Sequence, residues 1–320
     1  MVTPRFIKFL YAARIVGLDQ HKKSKPSLPT SGGICAAFGV LAGLLSFVGI
    51  QTFVYGLQST SIQLLAVISS ILIVAFVGLL DDLNIKSRLT KTKDGVERRI
   101  GIPQWVKPLL TLLAAIPLMV IMAGDTMMTV PFFGEVNFGI LYPLLFIPIG
   151  FVGATNAVNL LGGFNGMEAG MGFVYFLSLG IYGWLHGSIG SAIFLISAAS
   201  VLAFLKFNWY PAKILPGDSL TYLLGSLVAS GVIVGNMEKA GIIVLAPFII
   251  EFFLKARAKF KASCLGKLRS DGKLDPPYGK KIYSLTHLVM NAGSFTEKQV
   301  TIILILIQVA FAIIPFLNLI

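Results

Sequence analysis

Along the chain, apolar residues collect in uninterrupted runs separated by short polar or basic stretches. The runs fall at about 32–56, 59–80, 105–124, 138–157, 166–186, 188–207, 218–235, 239–254 and 299–320. A hydrocarbon core of roughly 30 Å is crossed by about 20 residues of α-helix, and most of the runs approach that length. The pattern predicts an all-α polytopic membrane protein, with about nine transmembrane helices in a single transmembrane domain over residues 1–320. Residues 1–16, MVTPRFIKFLYAARIV, are interrupted by Arg5, Lys8 and Arg14. They suit an amphipathic segment lying on the membrane better than a signal peptide or a span.

The stretches between the runs test this count. With the N-terminal segment cytoplasmic and nine helices following, the cytoplasmic pieces are 1–31, 81–107, 157–165, 206–217 and 255–298. They hold six, seven, none, two and ten Lys and Arg residues, which is 25 of the 26; only Lys239 lies on the other side. A wrong count would scatter these charges over both faces, whereas basic residues favour the cytoplasmic one. The cytoplasmic loops are therefore expected at about 81–106, 157–165, 206–217 and 255–298, and the C-terminus outside. The last loop carries Gly272, Pro276, Pro277 and Gly279, so only short structured pieces are expected in it.

Composition adds exclusions. Hydrophobic residues are 56% and charged residues 12% of the chain, too few polar groups to cover a water-soluble globule. The net charge of +12 is explained by basic loops beside an anionic leaflet, without nucleic acid. Cys35 and Cys264 have no metal-site spacing and form no disulfide framework. Three histidines argue against a His-rich metal centre.

Four groups of residues carry candidate chemistry, all at the cytoplasmic ends of predicted spans. Asp81 and Asp82 close the second span in GLLDDLNIKSRLTK, where the helix dipole disfavours anions and the neighbouring carboxylates repel. An interfacial cap paired with Lys86 or Arg88 is the plain reading; a Mg²⁺ or proton-transfer site is the functional one. Asn156, Asn159 and the run NLLGGFNGMEAGMG follow the fourth span. Its glycines let backbone approach a ligand, while Asn159 and Asn165 offer amide oxygens and donors. A tight helix–helix turn, with Gly166 and Gly170 as a packing face, is the alternative. Asp218, in FNWYPAKILPGDS, suits both a helix N-cap and the helix terminus of an anion site. Lys107 begins the third span, and Arg257, Lys259 and Lys261 follow the eighth. Each can be a positive-inside anchor, but KARAKFK alternates with the strand period, so an extended stretch there is a comb of cations able to clamp a diphosphate. Acids, asparagines, cations and a Gly-rich turn on one face suggest Mg²⁺-assisted phosphoryl chemistry.

Four segments in order, GLDQHKKSKPSLPTSGG, GLLDDLNIKSR, NAVNLLGGFNGMEAG and FNWYPAKILPGDS, resemble the polyprenyl-phosphate N-acetylhexosamine-1-phosphate transferases from about residue 4 to the C-terminus. GGFNGMEAG is most similar to the archaeal and eukaryotic dolichyl-phosphate GlcNAc-1-phosphotransferases; PTSGG is closer to the prokaryotic form. The resemblance implies transfer of N-acetylhexosamine 1-phosphate, with GlcNAc the expected sugar, from a UDP-sugar donor to a polyprenyl or dolichyl phosphate acceptor, releasing UMP. It implies Mg²⁺ (Mn²⁺ as an alternative) held by Asn159 and Asp218, with Asp81 and Asp82 at the reacting phosphates and Lys107 neutralising diphosphate charge. Asn165 is expected to read the uracil, with Glu168 of the same motif also in the substrate site. Arg257 and Lys259 match the family's basic pair loosely, because the intervening His is Ala258. Where the family often has an aromatic that stacks on uracil, this chain has Leu215; Phe164 and Phe207 are candidate replacements. The family normally has ten spans, so the first is expected to be missing here, as from a truncated gene start. The expected setting is a multi-pass cell membrane (archaeal-type plasma membrane, or endoplasmic reticulum in a eukaryote) with the site cytoplasmic. Membrane lipid is a further partner, and a homodimer is open.

Two other classes compete. A transporter or lipid flippase requires charges near the midplane on broken helices related by a repeat, whereas these acids gather at one face and no repeat is visible. A non-catalytic scaffold is favoured by Leu215 and disfavoured by the retention of Asp81, Asp82, Asn159 and Asp218. The topology is checked by cysteine-accessibility labelling: residues 81–106 and 255–298 are expected to react from the cytoplasmic side, and labelling of 255–298 from outside rejects the arrangement.

Overall fold

Backbone N–H and C=O groups in hydrocarbon must find partners within the protein, and a helix supplies them within one segment. The computed structural model describes residues 2–83, 89–91, 97–99, 102–130 and 133–317, and most of them are helical. In chain order they are α1 (Val2–Ala12), α2 (Gly33–Tyr55), α3 (Ser59–Leu83), α4 (Val106–Val120), α5 (Ile147–Asn159), α6 (Met167–Leu185), α7 (Gly190–Asn208), α8 (Gly217–Gly235), α9 (Glu238–Val244), α10 (Ala246–Arg257), α11 (Leu285–Ala292) and α12 (Glu297–Ile313). Every expected span meets one of them. The chain is an all-helical polytopic membrane protein. Among the described residues, five helices are long and apolar enough to cross a bilayer: α2, α3, α7, α8 and the segment running through α12 to Leu317.

Proline accounts for two departures from the expected spans. Pro148 has no N–H to offer the carbonyl four residues back, and the chain runs as a π-turn over Tyr142–Phe146 before α5 begins. The run expected as one span over 239–254 is two helices, α9 and α10, which meet at Leu245 just before Pro247. Helix ends elsewhere follow local chemistry. α2 stops at Gly56, which takes φ 81°. α12 opens with a capping box in which Thr296 and Gln299 exchange side-chain-to-backbone hydrogen bonds.

Short strands shape the loops. β1 (Val16–Leu18) pairs with β2 (Ser27–Pro29), β3 (Leu89–Lys91) with β4 (Glu97–Arg99), and β5 (Met127–Val130) with β6 (Gly134–Asn137), all antiparallel. In the last loop, β7 (Lys267–Leu268), β8 (Lys273–Asp275) and β9 (Phe295–Thr296) form a three-stranded antiparallel sheet. With α11, these are the short structured pieces expected there.

The core is organised around α8. Its mean hydropathy, 1.4, is the lowest of the five long spans, and 89% of it is buried against 28–56% for the others. Small and hydroxyl-bearing residues explain both values. Ser219, Thr221, Ser226 and Ser230 are buried, and such residues let helices approach closely where hydrocarbon gives no hydrophobic drive. The outer helices show the reverse pattern, with Phe53, Phe76, Val120, Ile149 and Leu306 exposed as a lipid-facing belt. Close crossings position α8: a Cβ on Gly225 would lie 2.5 Å from the Thr155 Cα of α5, and one on Gly78 of α3 would lie 2.5 Å from the Ser219 Cα.

Gly225→Ala is therefore expected to lower the thermal midpoint in detergent, by about 1–3 kcal/mol of overpacking. Gly150→Ala, where no atom lies within 4 Å of the new Cβ, is expected to leave the midpoint unchanged or raise it, since alanine is the better helix former. Equal effects of the two changes would refute the account of the α5–α8 crossing.

Candidate active site

The C-terminal ends of α3 and α5 and the N-terminal ends of α4, α6 and α8 meet at one end of the bundle. They enclose a cavity of about 420 Å³, lined by Asp81, Asp82, Asn159, Glu168 and Asp218 among others. Its organising contact is between α3 and α8. Asp82 Oδ1 accepts from the backbone N–H of Asp218 at 2.8 Å, and Oδ2 from that of Ser219 at 3.2 Å. The first N–H groups of a helix have no intrahelical partner, and Pro216, at the N-cap of α8, supplies no side-chain bond. Asp82 serves instead, from another helix. Gly217 allows it: φ is +70°, and a Cβ there would lie 2.4 Å from Asp82 Oδ2.

Asp218 therefore occupies the first turn of α8, not its N-cap. It reaches Lys107 Nζ at 3.2 Å, and the same ammonium lies 2.7 Å from Asp81 Oδ2. Asp81 Oδ1 also accepts from Ile102 N at 2.7 Å. Asp81 is 1% exposed at its side chain and Asp218 37%, so Asp218 is the carboxylate that most openly faces the cavity. The expected ion-pair partners Lys86 and Arg88 lie outside the described residues. On the far wall, Asn159 Oδ1 accepts from Thr221 Oγ1 at 2.6 Å. Asn156 lies behind: its Nδ2 donates to Thr111 Oγ1 at 2.9 Å, and Thr111 in turn donates to the Lys107 carbonyl at 3.1 Å.

The Gly-rich turn between α5 and α6 forms another side. Gly163 and Gly166 have φ of +105° and +77°, conformations that favour glycine. Glu168, buried, accepts from Gly163 N at 2.7 Å through Oε1, while its buried Oε2 has no hydrogen-bond partner among the described residues. Asn165 lines the cavity, but its side chain is engaged inward. Nδ2 donates to Glu297 Oε1 at 2.8 Å and lies 3.3 Å from Asp19 Oδ2, and Oδ1 accepts from Ala212 N at 2.7 Å. Reading a uracil edge would require exchanging these bonds.

Leu215 is a wall of the cavity, as is Phe164, whose ring centroid lies 4.4 Å from that of His21. Phe207 is not among the lining residues. Cys264 also lines the cavity; burial pushes its thiol pKa up, and it donates to the Leu160 carbonyl at 3.1 Å.

The cationic comb expected from KARAKFK does not form. Residues up to Arg257 belong to α10, and Lys259 and Phe260 turn through φ of 51° and 57°. Within α10, Lys255 sits one turn beyond Glu251, 3.6 Å away, and is buried with it. Arg257 and Lys259 are exposed and do not line the cavity. The structure brings in residues not singled out from the sequence: Asp19, His21, Lys22 and Glu297. Glu297, at the start of α12, accepts from Asn165 N at 2.9 Å and pairs with Lys22. His21 lies 3.7 Å from it. The only sequence signal for Asp19, His21 and Lys22 was their place in GLDQHKK, and Glu297 had none, since an acid in the first turn of a helix is ordinary.

The donor set suits a hard cation. Asp81, Asp82, Asn159 and Asp218 are oxygen ligands, and three carboxylates beside one ammonium leave a formal excess of negative charge. Among the described residues no three His, Cys, Asp or Glu side chains converge into a closed cage. A cation held here would need further ligands from outside the chain, such as phosphate oxygens and water.

A family model for glycosyl transferase family 4 matches residues 64–236, the stretch that holds the whole carboxylate cluster. A protein of Saccharolobus solfataricus, provisionally named a UDP-N-acetylglucosamine–dolichyl-phosphate N-acetylglucosaminephosphotransferase, is 37% identical over 305 residues, 94% of this chain and 87% of its own. The Dictyostelium discoideum protein of that name is 27% identical over 92% of this chain and 79% of its own. A phospho-N-acetylmuramoyl-pentapeptide-transferase of Clostridium perfringens is 28% identical over 98% and 90%.

Removing Lys107 leaves two carboxylates without their shared cation, one of them fully buried. Lys107→Met is expected to destabilise the protein by about 3 kcal/mol in detergent, read as a fall in thermal midpoint. Adding Asp81→Asn should restore a large part of it; strict additivity of the two changes would show that they do not interact.

Proposed function

The chain belongs to glycosyl transferase family 4, and from that membership we propose that it transfers N-acetylglucosamine 1-phosphate from UDP-N-acetylglucosamine to dolichyl phosphate or a related polyprenyl phosphate, releasing UMP. The observation that carries this reading is the meeting of Asp81, Asn159 and Asp218 on one cavity at the end of the helices, with Lys107 paired to both acids. A phosphate-bearing lipid anchored in the bilayer and a soluble nucleotide can both reach such a place. A phosphate oxygen of the acceptor attacks the β-phosphorus of the donor. The bond from that phosphorus to the oxygen bridging the two phosphates breaks, and UMP leaves.

The chain's residues have separable tasks in this scheme. Lys107 sets a positive charge beside phosphates that repel each other, and Asp81 holds it in place. Asp82 orders the start of α8, which makes it a positioning residue. Asp218 and Asn159 would hold Mg²⁺, which when bound offsets charge on the diphosphate and the leaving UMP. Glu168, with one free buried oxygen, would accept from a donor N–H or O–H of the substrate. The one-sided distribution of Lys and Arg supports a site on the cytoplasmic face.

The test uses purified protein in detergent with Mg²⁺, dolichyl phosphate and a panel of UDP-sugars, reading UMP release. Release is expected with UDP-N-acetylglucosamine and only when lipid acceptor and Mg²⁺ are both present. Asp218→Ala and Asn159→Ala are each expected to lower turnover by on the order of 10²-fold or more without changing the thermal midpoint by a comparable degree. UMP release that needs no lipid acceptor would reject the transfer reaction. Near-normal turnover of both variants would reject the metal assignment.

A further inference from the structure

Beside the catalytic cavity lies a second hollow of about 590 Å³, and Gln20 and Leu265 belong to the walls of both. Its lining is basic. Lys22, Lys23 and Lys25, from the turn between β1 and β2, stand with Lys267 of β7 and Arg269 just beyond it. No carboxylate lines the hollow among the described residues.

Two of these five cations are already neutralised. Lys22 pairs with Asp19 and Glu297, and Arg269 with Asp271 at 3.2 Å and Asp275 at 3.6 Å. Lys23, Lys25 and Lys267 have no carboxylate within 4 Å among the described residues. The turn that gathers them is tight: Lys25 N donates to the Lys22 carbonyl at 3.0 Å, and Lys25 takes φ 43°. That is a left-handed conformation which costs a residue with a Cβ.

The positive-inside bias explains why these loops are basic. It does not explain why unpaired cations collect around one concave wall, since like charges repel and dispersal costs less. A hollow lined by one sign of charge focuses potential and concentrates the opposite ion. Its size and charge fit a group with several negative oxygens, which is to say phosphate. Phosphate here has two sources, a soluble nucleotide or a lipid headgroup. The walls shared with the catalytic cavity, and a lining with only two large apolar side chains, Leu265 and Leu268, favour the soluble one.

We propose that this hollow is a second anion site, which takes the phosphates of a nucleotide on its way into or out of the catalytic cavity. The proposal rests on the reading of that cavity as one that uses a nucleotide-diphosphate donor. Its role is capture and steering, so it acts on the donor and not on the chemical step.

Inorganic pyrophosphate tests the site without requiring turnover. Its binding is measured by calorimetry, in detergent free of anionic lipid, for the wild type, for Lys23→Gln/Lys25→Gln/Lys267→Gln, and for Asp218→Asn. Wild type and Asp218→Asn are expected to bind, with an affinity that falls as salt rises. The triple variant is expected to bind roughly tenfold more weakly, as the loss of three modest charge contacts predicts. In the UMP-release assay it should raise the donor KM by a similar factor, with turnover at saturating donor and the acceptor KM unchanged. Undiminished pyrophosphate binding by the triple variant overturns the site. Displacement of pyrophosphate by phosphatidylglycerol vesicles, or an unchanged donor KM despite lost binding, overturns the nucleotide assignment. Absence of turnover in the wild type counts against the transfer reaction and leaves the pyrophosphate comparison standing.

Discussion

α8 begins at the wall of the cavity with its first N–H groups unpartnered within the helix, and its N-cap offers no capping side chain there. Asp82 of α3 supplies the missing acceptor through both carboxylate oxygens. The geometry demands that α3 and α8 nearly touch, which Gly78 and Gly217 permit. Once that contact exists, the placement of the neighbours follows. Asp81, one residue earlier, and Asp218, in the turn being capped, come within reach of one ammonium, Lys107. The cluster read here as catalytic is thus built on the solution to a helix-capping problem. Burying several carboxylates in one place is costly unless cations or hydrogen bonds offset it. Lys107 and the backbone donors do part of this, and a formal excess of negative charge remains.

The same device holds the loops. Glu297, at the head of α12, ties together the Asn165 turn, Lys22 and the surroundings of His21. Glu251 in α10 accepts from Ser284 Oγ at 3.1 Å and Leu285 N at 2.7 Å, anchoring the start of α11. His287 of α11, nearby, is buried, and desolvation together with Lys255 depresses its pKa to about 4, so it stays neutral in the physiological range. Buried carboxylates on the helices thereby fix long segments that have little regular structure of their own. A cavity walled by those segments keeps its shape because each wall is pinned to a membrane helix.

Much of this could be read along the chain. Apolar runs located the helices, including the α5–α6 turn that carries NLLGGFNG, because hydrocarbon enforces one length and one secondary structure. The charge asymmetry selected which helix ends share a face. Asp81, Asp82, Lys107, Asn159, Glu168 and Asp218 were each conspicuous as polar groups where apolar ones are cheaper, and they do border or support one cavity. The extended KARAKFK comb failed because alternation along its seven residues does not outweigh a helix already propagating through Lys255 to Arg257. Asn165 was expected to face a ligand, but it meets Glu297, 132 residues away, and no local pattern announces that partner.

Sequence by itself determined the solvent of this protein, the rough positions of its apolar helical runs, and the set of polar residues that membrane burial leaves unexplained. These depend on composition and period, which are properties of single segments. Tertiary structure alone decided which of those residues meet. Asp82 caps a helix through a backbone N–H 136 residues later, Lys107 is shared between two acids, and five loop cations converge on one hollow. Such pairings are set by the rotation and depth at which helices pack. Those depend on side-chain shape and glycine contacts across the bundle, and neighbours along the chain carry no record of them.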